Sequence, residues 1–341
     1  SAMASELTHR NLLLRSAIGW KAVALLLLAL LVTRSTAAEP GATQVAAWKD
    51  DKRAPFVLMF DDSMPSHVKT VLPELAKRKL VGVFYINPGS GHYGANKRAW
   101  EKDMPAAGMV LANHTFTHKG AADVANLEEE ITKCNDVLDK IAADAGQKPT
   151  LHSFGRPGVP QGKWNVKDKE LEAVLKKHRL VMRPNVPFAK INLKDASAMI
   201  SRVEKALDSG KPDAVAFHGV GGEWLSIDTP EFIALLDFID KKRERLWITD
   251  PISIHKYEME RDAAKVEVIE ANGQQIRLRL TSSADAKVYD EPLTLVSQVP
   301  ASWKNVKVTQ GKQSTTVAAS GGKVEYDAHP GGEPIVLEPR P

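Results

Sequence analysis

Pro55-Phe56-Val57-Leu58-Met59-Phe60-Asp61-Asp62 is a run of six apolar residues that ends on two adjacent carboxylates. A short apolar run of that length reads as a strand. Six further runs of the same kind follow, at Leu80–Ile86, Met109–Ala112, Thr150–Phe154, Leu180–Met182, Ala214–Phe217 and Leu246–Thr249. Amphipathic stretches of helical period separate most of them, clearest at Val124–Ala143, Val166–Lys177, Ala196–Asp208 and Pro230–Lys242. Asp228-Thr229-Pro230 and Asp250-Pro251 each read as a helix start, a polar cap before a proline in the first turn. About seven strand–helix units imply a parallel sheet, either closed into a barrel or open and doubly wound.

The polar residues help to choose between the two. Asp61, Asn113-His114, Arg156, Arg183 and His218 each fall at or just past the carboxyl end of a predicted strand. Active sites of (β/α) barrels are built on that face, so the expected fold is a distorted (β/α) barrel of about seven parallel strands over residues 53–260. After Arg261 the pattern shortens to alternating segments at Lys265–Ile269, Gln275–Thr281, Leu293–Val299, Val306–Val308 and Lys323–Tyr326. Asn272-Gly273 between two of them is a hairpin signal. Residues 262–341 are therefore expected to form a small all-β sandwich, more a structural cap than a glycan binder, since no exposed aromatic cluster is evident.

At 341 residues, 43% apolar and 26% charged, the composition is that of an ordinary folded protein. Residues 1–38 carry Arg10, Arg15 and Lys21 ahead of the apolar run Ala22–Val32, then the small residues Ser35–Ala38. The pattern predicts a signal peptide, hence a secreted or periplasmic protein, or a membrane-anchored one if the leader is retained. Residues 39–52 read as a linker. Without the leader the formal charge falls from +4 to +1. A nearly neutral chain with no basic run gives no electrostatic case for nucleic acid or an acidic membrane surface, and points to a neutral partner. Cys134 is the only cysteine, so no intramolecular disulfide exists.

The chemistry lies in five residues. Asp61 and Asp62, His114 and His118, and His218 in Phe217-His218-Gly219 supply one carboxylate and two imidazoles for a metal, with one Asp and one His left over as base and acid. Nitrogen plus carboxylate oxygen suits zinc, and also cobalt or nickel. His114 and His118 present their rings the same way if the intervening residues turn helically. Asp61 and Asp62 both face the site if the strand alternation breaks at its end. No Glu stands between the histidines to act as the base of a metallopeptidase.

Phe60-Asp61-Asp62, His114-Thr115-Phe116-Thr117-His118 and Phe217-His218-Gly219 resemble three signature motifs of the polysaccharide deacetylases, carbohydrate esterase family four. The resemblance spans about residues 53–258 and implies a metal-dependent deacetylase acting on N- or O-acetyl groups of an acetylated carbohydrate such as chitin, peptidoglycan or xylan. It implies Asp61 as general base, Asp62, His114 and His118 as metal ligands, and His218 as general acid. Arg156, in His152-Ser153-Phe154-Gly155-Arg156-Pro157-Gly158, resembles the arginine that orients the base. Gly158 and Val159 stand where an aromatic is usual, and sliding that motif by one residue puts Gly155 in place of the arginine. The fourth motif is not recognisable near Leu180–Asn185, and Arg183, Glu223 and Asp228 are candidates for the site wall. Trp224 is a candidate sugar platform, so Arg183, Glu223 and Trp224 stand as expected substrate contacts. The alternative reading is a catalytically inactive secreted glycan-binding protein.

Overall fold

The computed structural model describes residues 38–185 and 194–341. The expected leader, apart from Ala38, lies outside the described residues, as do residues 186–193 of the loop after Pro184. Among the described residues no helix is long and apolar enough to cross a membrane. The chain from Pro40 onward forms one compact unit.

β1 (Thr43–Val45) falls inside the stretch expected as a linker, and it pairs antiparallel with residues 295–297. β2 (Ala54–Asp61) is buried along its whole length. β3 (Val83–Ile86), β4 (Val110–Asn113), β5 (His152–Phe154), β6 (Leu180–Met182), β7 (Asp213–Phe217) and β8 (Leu246–Ile248) complete a seven-stranded parallel sheet. Its order is β6-β5-β4-β3-β2-β7, with β8 beside the first residues of β2. β2 therefore sits among neighbours on both sides, and the sheet is an incomplete, distorted (β/α) barrel.

The helices that separate the strands are α1 (Leu72–Arg78), α2 (Val124–Asp144), α3 (Asp168–Lys177), α4 (Ala196–Ser209), α5 (Thr229–Lys241) and α6 (Pro251–Asp262). Period-2 alternation explains why β2 is apolar at every position up to Asp61. Phe56, Leu58 and Phe60 share one core with Leu75 of α1, Val203 of α4 and Leu235 of α5. Val57 and Met59 face the other way and share a second core with Trp247, Tyr257 of α6 and, from the C-terminal region, Leu293 and Leu295. Asp250 caps α6 as its sequence predicts, accepting from the backbone N–H groups of Ile252 and Ser253. Asp228 holds the extended cap conformation before α5 but makes no side-chain cap bond.

The C-terminal region contains β9 (Ala264–Ala271), β10 (Ile276–Ser282), β11 (Leu293–Gln298), β12 (Asn305–Gln310), β13 (Gln313–Ala318), β14 (Lys323–Ala328) and β15 (Ile335–Arg340). They form two antiparallel sheets, β1-β11-β14 and β13-β12-β15-β10-β9. The hairpin at Asn272-Gly273 forms through the asparagine, whose side-chain oxygen accepts from the N–H groups of Gln274 and Gln275. Because Ile276, Leu278 and Leu280 share the core of Val57 and Met59, the β region covers one face of the parallel sheet.

Candidate metal centre and active site

The site begins where β2 stops. Phe60 stacks on Phe84 of β3 at 4.8 Å and on Phe217 of β7 at 5.1 Å, so a row of three rings fixes the strand end immediately before the carboxylates. Asp61 is the last strand residue, and Asp62 then takes a left-handed backbone, with φ of 76°. That conformation costs a non-glycine residue on the order of 1 kcal/mol, and it breaks the alternation that would send the two side chains apart. Ser63 continues with φ of 53° and accepts the Asn87 N–H on its hydroxyl.

His114 follows β4 directly, but the segment to His118 is not the helical turn expected from the spacing. Thr115 and His118 have φ of 65° and 61°. Buried polar groups hold the bend: Asn87 donates to the carbonyls of His114 and Thr115, and Asn113 accepts the Thr115 N–H. Glu130, on α2, accepts from the backbone N–H and the hydroxyl of Thr117. These contacts bring the two imidazoles together, with ring centroids 5.1 Å apart.

The Asp62, His114 and His118 ligand atoms lie within 4.8 Å of one another. Asp62 Oδ1 is 3.2 Å from His114 Nε2 and 3.0 Å from His118 Nε2. Yet Asp62 Oδ1 and His114 Nε2 are buried without a hydrogen bond, so they are close but not aligned as donor and acceptor. The reason lies behind the ring. His114 Nδ1 meets the Gly155 carbonyl at 2.7 Å and must donate to it, which leaves the Nε2 lone pair facing the site. Two lone-pair atoms aimed at one buried point, with a third beside them, fit a divalent cation; a carboxylate–bis-imidazole set leaves positions open for water and substrate.

Asp61 makes a bidentate pair with Arg183, at 2.5 and 2.9 Å. Burial alone would raise its carboxyl pKa; the Arg183 and His114 charges more than offset this, and Asp61 stays ionised below the ordinary value. Arg183 follows β6, and its guanidinium also lies over the Tyr85 ring at 4.5 Å. It was expected to contact substrate and instead pairs with Asp61, the residue expected as base. Arg156 was expected in that role, but its guanidinium lies over Trp164 at 4.6 Å and comes no nearer than 3.8 Å to Asp168. The residue facing the site on that strand end is Gly155, where the shifted motif alignment put it.

His218 follows β7, with Nε2 3.4 Å from Asp62 Oδ2. Burial pushes its pKa below the ordinary value, against the upward pull of Asp61 and Asp62. Its carbonyl lies 2.6 Å from Nε2 of His67, a fully buried residue. Glu223 is not turned toward substrate, because its carboxylate accepts from the Ser66 N–H and hydroxyl. Ser66 in turn accepts the Val220 N–H, so the loop after His218 is locked to the segment after Asp62. Trp224, on that loop, is 65% exposed, while its backbone carbonyl accepts from Gly219 N–H. His67, Ser66 and Glu130 were not foreseen. Among them only Ser66-His67, five residues past Asp61-Asp62, had a usable signal in its proximity to the carboxylates.

Residues 49–180 match the sequence profile of the polysaccharide deacetylases. Over that segment, which holds Asp61, Asp62, His114 and His118, the chain is similar to the family. A gellan lyase of a Bacillus species is 24% identical over 307 residues, covering 79% of this chain. The chain spans 12% of the length of that relative. Among solved structures, a family 4 carbohydrate esterase from Streptomyces lividans in complex with acetate is 21% identical, covers 57% of this chain and 91% of its own, and gives a TM-score of 0.41. A family 4 acetyl xylan esterase from Clostridium thermocellum in complex with a cobalt ion is 18% identical over 55% of this chain and 83% of its own, with a TM-score of 0.37. A pseudoenzyme of the same esterase family from Bacillus anthracis is 16% identical over 57% of this chain and 62% of its own, with a TM-score of 0.40.

Proposed function

We propose that this chain is an active, metal-dependent hydrolase of the polysaccharide deacetylase type that removes N- or O-acetyl groups from a carbohydrate. The observation that carries the reading is the convergence of Asp62, His114 and His118 on one point, with buried Asp62 Oδ1 and His114 Nε2 lacking hydrogen bonds. Those three residues would hold the cation, with zinc first and cobalt or nickel also suited to the donor set. When bound, the cation supplies Lewis acidity toward water and the acetyl carbonyl.

The protein supplies the proton transfers. Asp61, ionised and fixed by Arg183, takes the proton of the attacking water. His218, on a strand end on the other side of β2 from β3, returns a proton to the departing amine or alkoxide. Its lowered pKa makes the imidazolium a stronger acid toward a poor leaving group. Trp224 offers an exposed ring for a sugar face on the same loop. Export of the chain is part of the proposal and rests on the leader pattern in residues 10–38.

Acetate release by metal-reconstituted protein from acetylated xylan, chitooligosaccharides and peptidoglycan fragments, with and without a chelator, tests the reading. Release from one class, abolished by the chelator, is expected. Stoichiometric metal with no release from any of the three would instead establish an inactive glycan binder.

A further inference from the structure

We infer that the wall of the site formed by the loops after β4 and β5 is a subsite for a carboxylate-bearing sugar, so that the glycan is anionic, a polyuronate in its chemical class. The inference deepens the deacetylase reading and rests on it for the acetyl group, but not for the binding. It reverses the expectation of a neutral partner, because three cations on these loops lack a close acidic partner. Ala121 N–H donates to the Lys163 carbonyl, and Asn165 N–H to the Ala121 carbonyl, so the two loops run side by side. Gly120 is held so close to that junction that a Cβ would stand 2.0 Å from the Lys163 carbonyl oxygen.

Two shallow depressions flank the junction and share Gly162. One, of about 410 Å³, is lined by Thr117, Lys119 and Lys163; the other, of about 510 Å³, by Arg156 and Trp164. Lys119 and Lys163 are exposed, and among the described residues neither has an acidic partner. Arg156 faces only Asp168, at 3.8 Å and 97% exposed. The other acids nearby keep their charge but turn their oxygens to local donors, Glu130 to Thr117, Asp123 to the Asn126 N–H and Glu170 to the Lys167 N–H.

Arg156 is the anchor. Its guanidinium carbon lies 4.6 Å from the centre of the Trp164 ring, which restrains it before any ligand arrives, and a guanidinium edge takes a carboxylate bidentately. The indole is itself held by a bond from its N–H to the Val166 carbonyl. The wall is next to the chemistry, because Lys119 adjoins His118, about 3.8 Å along the chain, and Arg156 adjoins Gly155, whose carbonyl orients His114. A uronate flanking the acetylated sugar would meet this wall while the acetyl group faces the metal centre.

Affinity electrophoresis of the whole protein through gels containing polygalacturonate, a neutral glucan or a sulfated glycan of matched charge density provides the test. Retardation by polygalacturonate alone is expected, weakening as salt is raised. Arg156→Gln with Lys119→Ala and Lys163→Ala should weaken it roughly tenfold, with an unchanged melting temperature. Lys119→Glu with Lys163→Glu should abolish it. Equal retardation by the neutral glucan, stronger retardation by the sulfated glycan, or full binding by the charge-reversed protein would overturn the inference. Binding without acetate release would leave the subsite standing and remove the deacetylase reading instead.

Discussion

Arg183 reaches Asp61 through space that any side chain on Gly155 would fill. A Cβ there would lie 3.1 Å from the Arg183 guanidinium carbon and 2.9 Å from the Tyr85 ring. Asp61 is thus positioned from the end of β6, with the glycine that follows β5 making room, so the two positions depend on each other. Gly155→Ala is expected to displace the guanidinium and lower kcat by about 100-fold while metal content stays stoichiometric. Arg183→Met removes the charge that holds the Asp61 pKa down, so the acid limb of the rate profile moves to higher pH. Metal analysis beside kcat–pH profiles checks both; an unshifted acid limb in Arg183→Met would remove Arg183 from the base's environment.

Metal binding and proton transfer separate by mutation. His114→Ala removes one of the two buried lone-pair atoms and is expected to lose both bound metal and turnover. Asp61→Asn keeps the three ligands and is expected to retain metal while losing turnover by about 10²–10⁴-fold. Plasma emission spectroscopy on the purified variants, next to acetate release, distinguishes the two. Loss of metal from Asp61→Asn would place that carboxylate among the ligands.

His67 ties acid stability to the His218 loop. Burial takes its pKa from an ordinary 6.5 to about 4, only partly offset by its bond to the His218 carbonyl. A histidine kept neutral in the fold contributes its stability fully above pH 6.5 and loses it as the pH falls toward 4, where the folded state also takes up the proton. The difference corresponds to about 3 kcal/mol at the acid end. Denaturant titrations at pH 7 and pH 4.5 should show that loss, and it should shrink in His67→Gln. An equal acid loss in the variant would assign it to other groups.

The fold and the metal residues were legible in the sequence because both depend on local pattern. Buried strands such as β2 are apolar throughout, and the residues that end them fall on one face of the sheet, so Asp61, Asp62, His114 and His118 could be placed before any coordinates. β13 escaped because Gln313–Ala318 is a polar, mostly exposed edge strand, and β1 because three residues carry little period. The helical turn between His114 and His118 failed for a different reason: Asn87, Asn113 and Glu130 impose left-handed backbone that residue spacing does not encode. Arg156 and Arg183 were exchanged because each follows a strand end. Only the room at Gly155 decides which guanidinium meets Asp61.

Trp224 separates binding from chemistry. Its ring is exposed while hydrogen bonds from Gly219 and through Glu223 fix its loop, so truncation removes an aromatic face with little change to His218. Trp224→Ala should raise KM for a polymeric substrate by roughly 5- to 100-fold, as loss of one aromatic stacking contact does, with kcat nearly unchanged. Steady-state kinetics on polymer and on a small acetyl ester give the comparison. An equal effect on both substrates would mean that the indole supports the loop instead.

Glu130 shapes the candidate metal site without being one of its ligands. Its two carboxylate oxygens take the N–H and hydroxyl of Thr117, immediately before His118, and its own backbone carbonyl takes the Phe116 N–H. Since Thr115 and His118 both hold left-handed backbone, the loop between the ligands is strained, and Glu130 is the side chain from α2 that keeps it so. Removing it lets the bend relax and moves His118 relative to Asp62 and His114. Loss of a group that orients a metal ligand weakens metal affinity by roughly 10- to 100-fold. Glu130→Ala is therefore expected to need that much more free zinc for half-occupancy, measured by competition with a chromogenic chelator, and to recover turnover at saturating metal. Glu130→Gln, which keeps an acceptor for Thr117, should fall between the two; wild-type zinc affinity in Glu130→Ala would show that the bend stands on Asn87 and Asn113 alone.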